Sequence, residues 1–342
     1  MGTAKKKKQK QGRNFSKHSK ESRLSSGKDG LRWATNEMVA DWRAKRLECD
    51  VVADIGCGIG LQAMSLAKKC GRVIAMDIDQ SRVDDAKRNA KRLNFRNIEF
   101  SCADALSAGA LEAAKECQSV FLDPQRDPEE DSRKVESIRP SIPDFLRSYR
   151  KITDRIAIEF PPQIRDIPFD CEREYASVGG KLNRLTLYFG GLKQRDVSAV
   201  ALPGGAILGK DKSSFLRKAD SPQKYIYEAD TAAHKAGLLA ELSQATGAGL
   251  LHEKKYAFFT SEKELSSPFF RNSYRVLSAL SYDTDRIREA LQKAGAGRVL
   301  LRTEVDPEQY WEVRKSFEEG LRGSRELVLF EFEGIAVIAE KL

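Results

Sequence analysis

The chain has 342 residues, 41% hydrophobic and 32% charged, with a formal net charge of +9. That length supports two hydrophobic cores, and no apolar run approaches the roughly 18 residues that a membrane helix needs. The lysine-rich start lacks the apolar stretch of a secretory leader, so transmembrane and secreted readings give way to an expected cytoplasmic protein without a membrane partner.

All of the excess charge sits at the start. Residues 1–28 hold eight Lys and two Arg against Glu21, whereas the rest of the chain balances 49 basic against 49 acidic side chains. From Lys5, Lys6, Lys7 and Lys8 through Lys20 and Arg23 the segment is rich in Ser, Gly and Gln with almost nothing apolar to bury, which predicts a disordered basic tail over 1–30. Two roles are open to it: a solubilising extension, or an arm that gains affinity for a polyanion by releasing counterions.

Next, Thr35 or Asn36 is placed to cap a helix in which Met38, Val39, Trp42 and Leu47 recur at helical spacing. Strands are predicted over 51–55, 73–76, 98–101, 119–122 and 156–160, alternating with helices over 61–69, 81–93, 111–117 and 143–151. Short, continuously apolar strands between amphipathic helices imply an α/β domain whose parallel sheet is covered on both faces. From Tyr175 the rhythm changes to a hairpin, with Gly179 and Gly180 ahead of a strand over 185–189. Residues 196–208 read as a second hairpin, turning at Pro203, Gly204 and Gly205. The expected division is a first domain over 31–195 and a smaller α/β or α+β domain over 196–342. The latter has helices at 231–246, 283–294 and 307–319 and strands at 256–260, 299–303, 326–332 and 335–339.

Cys49, Cys57, Cys70, Cys102, Cys117 and Cys171 form no Cys-x-x-Cys pair, and His18, His234 and His252 lie far from them in sequence. No zinc site is expected, and the thiols read as packing residues of a reducing compartment.

The residues that carry chemistry begin with Ala53-Asp54-Ile55-Gly56-Cys57-Gly58-Ile59-Gly60, directly after a strand and opening a helix. Glycines there permit a tight turn and close approach of the backbone to a ligand. A nicotinamide dinucleotide fingerprint needs a further Gly where this chain has Leu61, and the missing element is the one that lets a helix N-terminus receive a pyrophosphate. An adenosine ligand without phosphates suits what remains. The second strand ends in Met76-Asp77-Ile78-Asp79, where Asp77 is placed to accept both hydrogens of a ribose diol and Asp79 to cap the next helix. The third ends in Cys102-Ala103-Asp104-Ala105, bringing another acid to the same edge, within reach of an adenine amino group.

On these residues the span 35–190 resembles the class I S-adenosylmethionine-dependent methyltransferases, including the antiparallel hairpin that closes their Rossmann-like seven-stranded sheet. The resemblance implies S-adenosyl-L-methionine as cofactor. It assigns Asp54, Gly56, Gly58 and Gly60 to the methionine portion, Asp77 to the ribose hydroxyls, and Asp104 with Ala105 to the adenine.

The fourth strand delivers Phe121-Leu122-Asp123-Pro124-Gln125-Arg126 to this edge. The run is similar to the Asp/Asn-Pro-Pro-aromatic motif of methyltransferases that act on nucleobase amines, in which the acid and a neighbouring carbonyl orient the amine lone pair and the ring stacks on the base. Here Gln125 follows Pro124 and Arg126 replaces the aromatic, and a guanidinium plane also stacks on a base or holds a phosphate. The resemblance thereby assigns catalysis to Asp123, Pro124 and Arg126.

Two narrower resemblances concern the substrate. Phe15-Ser16 and Trp33-Ala34-Thr35-Asn36-Glu37 resemble the leading segment of the cap-guanine N2 methyltransferases, whose Pro-Pro-Trp type of motif is Asp-Pro-Gln-Arg here. The Asp-Pro-x-Arg form is similar to archaeal and bacterial methyltransferases with a THUMP-like domain. So are Ser177-Val178-Gly179-Gly180, Leu202-Pro203-Gly204-Gly205-Ala206, Tyr225-Ile226-Tyr227-Glu228, Tyr274-Arg275-Val276-Leu277 and the end from Arg298 to Leu342. They imply RNA as partner, tRNA or rRNA, held by the 196–342 domain and the tail and methylated on a base nitrogen. The competing readings are a methyltransferase for protein or a small metabolite, and an RNA-binding protein without turnover.

Three features are set aside. Gly204-x-x-x-x-Gly209-Lys210 has the spacing of a phosphate loop, but Asp211 stands where a Ser or Thr is required and the segment reads as a hairpin. Glu159, Pro161 and Pro162 read as a chain turn after the fifth strand, and His234 as a surface or packing residue.

Overall fold

The computed structural model describes residues 35–125, 135–164, 166–302, 306 and 308–342. The tail over 1–30, Phe15, Ser16, Trp33, Ala34 and Arg126 lie outside them. The chain divides into two units, Met1–Ile167 with Phe189–Leu192, and Pro168–Tyr188 with Lys193–Leu342.

In the first unit β1 (Val51–Ile55), β2 (Arg72–Asp77), β3 (Ile98–Cys102), β4 (Ser119–Leu122) and β5 (Ile156–Phe160) pair in parallel in the order β3-β2-β1-β4-β5. Helices α1 (Glu37–Arg46), α2 (Leu61–Ala67), α3 (Gln80–Arg92), α4 (Ala108–Ala113) and α5 (Ile142–Tyr149) accompany them. β4 and β5 are buried at every position, as strands covered on both faces must be, whereas the edge strand β3 alternates toward solvent. The order reverses between β1 and β4, and a crevice forms at such a point beyond the strand C-termini. Asn36 caps α1 by accepting from the Met38 amide at 2.9 Å. Ser107 Oγ accepts from the Ala110 amide, which starts α4 at Ala108 rather than at the expected residue 111.

The second unit opens with β6 (Glu172–Val178) and β7 (Lys181–Phe189), the expected hairpin around Gly179 and Gly180. β8 (Val197–Leu202) and β9 (Ala206–Gly209) form the second hairpin, but β8 runs parallel to β6, from Arg173↔Val197 to Val178↔Leu202. The two hairpins thus share a sheet. The buried carboxylate of Glu172 fixes the junction, accepting from Ser198 Oγ at 2.7 Å and from the Gln194 amide at 3.0 Å.

A seven-stranded sheet follows, built from β10 (Tyr225–Ala229), β11 (Gly249–Glu253), β12 (Ala257–Ser261), β13 (Phe270–Ser281), β14 (Ala296–Arg302), β15 (Arg325–Phe332) and β16 (Ile335–Lys341). Its order is β11-β12-β10-β13-β16-β15-β14, antiparallel except between β14 and β15. The helix expected over 231–246 is two, α6 (Thr231–Lys235) and α7 (Leu239–Thr246), broken where Gly237 takes φ +69°. α8 (Thr284–Lys293) and α9 (Tyr310–Glu318) pack Ile287, Leu291 and Phe317 against Val299, Leu327 and Leu329. A second core joins Ile226, Phe258, Tyr274, Phe330 and Phe332. No helix among the described residues is long and apolar enough to cross a membrane.

Candidate active site

Parallel pairing sets Ile55 opposite both Met76 and Leu122, and Asp77 opposite Cys102. The acids that follow these strands therefore converge on one edge.

At the tip of β1 the amides of Gly56 and Cys57 both donate to the Met76 carbonyl, at 2.8 and 3.0 Å. Gly56 has φ +76°, and a Cβ there would lie 2.3 Å from the carbonyl oxygen of Asp123. Only glycine lets the loop and the β4 tip approach so closely. The Gly58 amide donates to Asp77 Oδ2 at 2.8 Å, and a Cβ on Gly58 would meet nothing within 4 Å. Gly60 precedes α2 and packs on Ala86. The amides that would face a pyrophosphate are thus turned inward, while open space remains above Gly58.

Asp54 is fully buried, and no side chain donates a hydrogen bond to either of its carboxylate oxygens. Burial, reinforced by the nearby Asp123 carboxylate, pushes its pKa up to about 8 against the opposing pull of Arg43. Asp77 is also buried, and Oδ1 accepts from the Asp79 amide at 3.0 Å. An ionised carboxylate offers about four acceptor positions, so two bonds to backbone leave capacity for a diol. Asp79 caps α3 as expected, accepting from the Ser81 amide and hydroxyl, and these bonds hold its carboxyl below the ordinary range. Between the two acids, Ile78 is 59% exposed. The sequence reading passed over it, although an apolar residue between two loop acids has little else to pack on.

Asp104 is exposed, and its Oδ1 accepts from the Leu106 amide at 2.7 Å. The carbonyl of Ala105 accepts from the hydroxyl of buried Tyr149, whose ring stacks on Phe145 with centroids 4.2 Å apart. The Asp123 amide donates to the Ile55 carbonyl at 2.9 Å, Pro124 is buried, and Gln125 exchanges two backbone bonds with Arg139. Both sides of the β4 tip are therefore anchored.

Glu159 requires a correction. It lies within β5, 2% exposed, rather than in a turn after it. Its Oε2 accepts from Arg43 at 2.9 Å and from Thr35 Oγ1 at 3.2 Å. Arg43 is itself fully buried, donates to Gln62 Oε1 at 2.7 Å and lies 4.3 Å above the Phe121 ring. A buried ion pair persists only when such additional partners satisfy it. The signal available was Arg43 in the stripe Val39, Ala40, Arg43, Ala44, Leu47, a lone cation on a core-facing side.

Buried Asp54, the open space at Gly58 and the spare acceptor capacity of Asp77 fit a ligand that brings an ammonium group and a ribose but no phosphate. Residues 52–123 match the family model described as "Methyltransferase domain". With the Rossmann-like fold, this marks the chain as an S-adenosylmethionine-dependent methyltransferase, with S-adenosylmethionine as its cofactor. Over 313 residues, 88% of this chain and 82% of the other, it is 28% identical to an uncharacterised S-adenosylmethionine-dependent methyltransferase from Mycobacterium tuberculosis. A solved protein from Porphyromonas gingivalis W83, described as a candidate methyltransferase, shares the fold with a TM-score of 0.75 at 17% identity, covering 92% of this chain and 83% of that one. A stretch of 93 residues, 27% of this chain and 20% of the other, is 37% identical to the 23S rRNA (uracil(1939)-C(5))-methyltransferase of Pseudomonas putida.

Proposed function

We propose that the chain methylates a nucleobase nitrogen of tRNA or rRNA. The observation that carries this reading is the β4 tip, where Asp123 and Pro124 abut the cofactor loop through the contact between Gly56 and the Asp123 carbonyl. S-adenosylmethionine supplies a methyl group already activated on a sulfonium, so the protein's work is alignment and exclusion of water. Asp77 holds the ribose, Asp54 faces the methionine portion, and Ile78 gives the adenine an apolar surface. Asp123 accepts from the base amine through its carboxylate, beside a neighbouring backbone carbonyl, and aims the lone pair at the methyl. Arg126 and the basic tail are assigned to the RNA, and the 196–342 region to a THUMP-like RNA-holding role. The short match to an rRNA methyltransferase supports the substrate class.

The test is transfer of labelled methyl to RNA from cells lacking this protein, beside DNA and protein, followed by nucleoside mass spectrometry. Label should appear in RNA. Asp123→Ala should lower transfer by about 100-fold or more through lost alignment, while cofactor affinity by calorimetry stays near wild type. Label confined to protein or to small molecules would overturn the RNA reading, and loss of cofactor affinity would overturn the role of Asp123.

A further inference from the structure

At the opposite edge of the same sheet, Cys49, Cys70 and Cys117 each stand two residues ahead of a strand, before β1, β2 and β4. The register of β1 and β2 begins with Val51↔Arg72, so Cys49 and Cys70 occupy equivalent positions on neighbouring parallel strands. The Gly71 amide donates to the Cys49 carbonyl at 3.4 Å and the Arg72 amide to the Asp50 carbonyl at 2.7 Å, which extends the pairing back to the two thiols. Adjacent strands lie about 4.8 Å apart, within the range of Cα separations that a disulfide spans. Both thiols point to this edge, Cys49 Sγ donating to the Val51 carbonyl at 3.3 Å and Cys70 Sγ to the Leu47 carbonyl at 3.8 Å. Cys117 is offset, because β4 pairs with β1 as Val52↔Ser119.

The surroundings make the two thiols unequal. Cys70 is buried, whereas Cys49 is only half-buried. The Cys70 thiol, Ser119 and the Arg155 guanidinium favour the thiolate of Cys49 and pull its pKa below the ordinary range. Arg155 is fixed for this by its bonds to Ser119 Oγ at 2.9 Å and to the Glu48 carbonyl at 3.4 Å.

We propose that Cys49 and Cys70 are a redox pair that closes to a reversible disulfide on exposure to a hydroperoxide, with Cys49 as the attacking thiolate and Cys70 as the resolving thiol. The Cys49 sulfur attacks the terminal oxygen of hydrogen peroxide and breaks the O–O bond. This gives a sulfenic acid, with the leaving hydroxide protonated to water. The Cys70 sulfur then forms the S–S bond, and the sulfenic oxygen departs as a second water, so the two thiols are oxidised by two electrons and one peroxide is reduced. The bond joins the α1–β1 turn to the α2–β2 turn, away from the strand tips that bind the cofactor.

The experiment treats the full chain with hydrogen peroxide and maps its peptides without reduction. The expected product is a peptide linking Cys49 to Cys70, a mass lower by two hydrogens, reversal by dithiothreitol and a melting temperature raised by about 5 °C. In Cys70→Ser a dimedone adduct should accumulate on Cys49, and in Cys49→Ser neither product should form. Linkage through Cys102 or Cys117 instead, or oxidation of Cys49 no faster than that of buried Cys171, would overturn the proposal. The wild-type map decides even if a variant folds poorly.

Discussion

Asp54 at the end of β1 and Glu228 in β10 are both wholly buried carboxylates on interior strands, and the protein provides for them in opposite ways. Glu228 receives the guanidinium of Arg271 at 3.0 Å and the amide of Asn272, with Arg302 at 3.7 Å. Asp54 receives no side-chain hydrogen bond on either oxygen and shares its surroundings with a second acid, Asp123. Burying charge without a partner costs free energy, so it persists where something other than stability holds it in place. A carboxylate supplied with cations is part of the frame, whereas the Asp54 carboxyl at the glycine loop holds its proton up to about pH 8 and is placed to ionise when a ligand brings an ammonium group.

The hardest test of this contrast is to strip a buried carboxylate of its cation. Arg43→Met removes the guanidinium from buried Glu159 and should cost about 3–5 kcal/mol in urea unfolding. Restoring neutrality with Glu159→Gln in the same chain should recover much of the loss.

Asp54→Asn should act in the opposite direction. The folded-state pKa of Asp54 is about 8, above the roughly 3.9 of an unfolded chain, so between those values the folded state keeps a proton that the unfolded state has released. Wild-type stability must then fall as pH rises through that window. The variant should lack this pH-dependent loss, about 5 kcal/mol at pH 8 and gone by about pH 4, while its cofactor affinity drops. Glu228→Gln, which loses two ion pairs, should instead destabilise by about 1–2 kcal/mol. If both variants moved stability in the same direction, the contrast would collapse. Smallest should be Asp79→Ala, which removes an exposed helix cap and should cost about 1 kcal/mol without a pH slope above neutrality.

Much of the first unit was legible because its signals are local. Runs of apolar residues between amphipathic helices mark β1 to β5, and glycines mark the loop after β1 and the turn of the β6–β7 hairpin. The acids follow the strands directly, so their shared edge could be read. The pairing of Arg43 with Glu159 could not be, because 116 residues separate them and only the folded sheet brings α1 beside β5. The hydroxyl of Tyr149 reaches Ala105 across 44 residues for the same reason. β10, β11 and β13 were passed over as strands, and β13, with Arg271, Asn272, Ser273, Tyr274 and Arg275, presents too many polar side chains to look like one. The parallel pairing of β8 with β6 is accompanied by the buried Glu172 bonds, which no periodicity reveals.

The close approach of Gly56 to Asp123 joins the ligand loop and the reaction tip in one wall, because no side chain fits between them. The two cannot be redesigned independently: a shift of Asp123 toward a different acceptor moves the floor on which the methyl donor rests. A change of acceptor that spares donor affinity must therefore come from positions beyond Pro124, where the chain no longer leans on the loop.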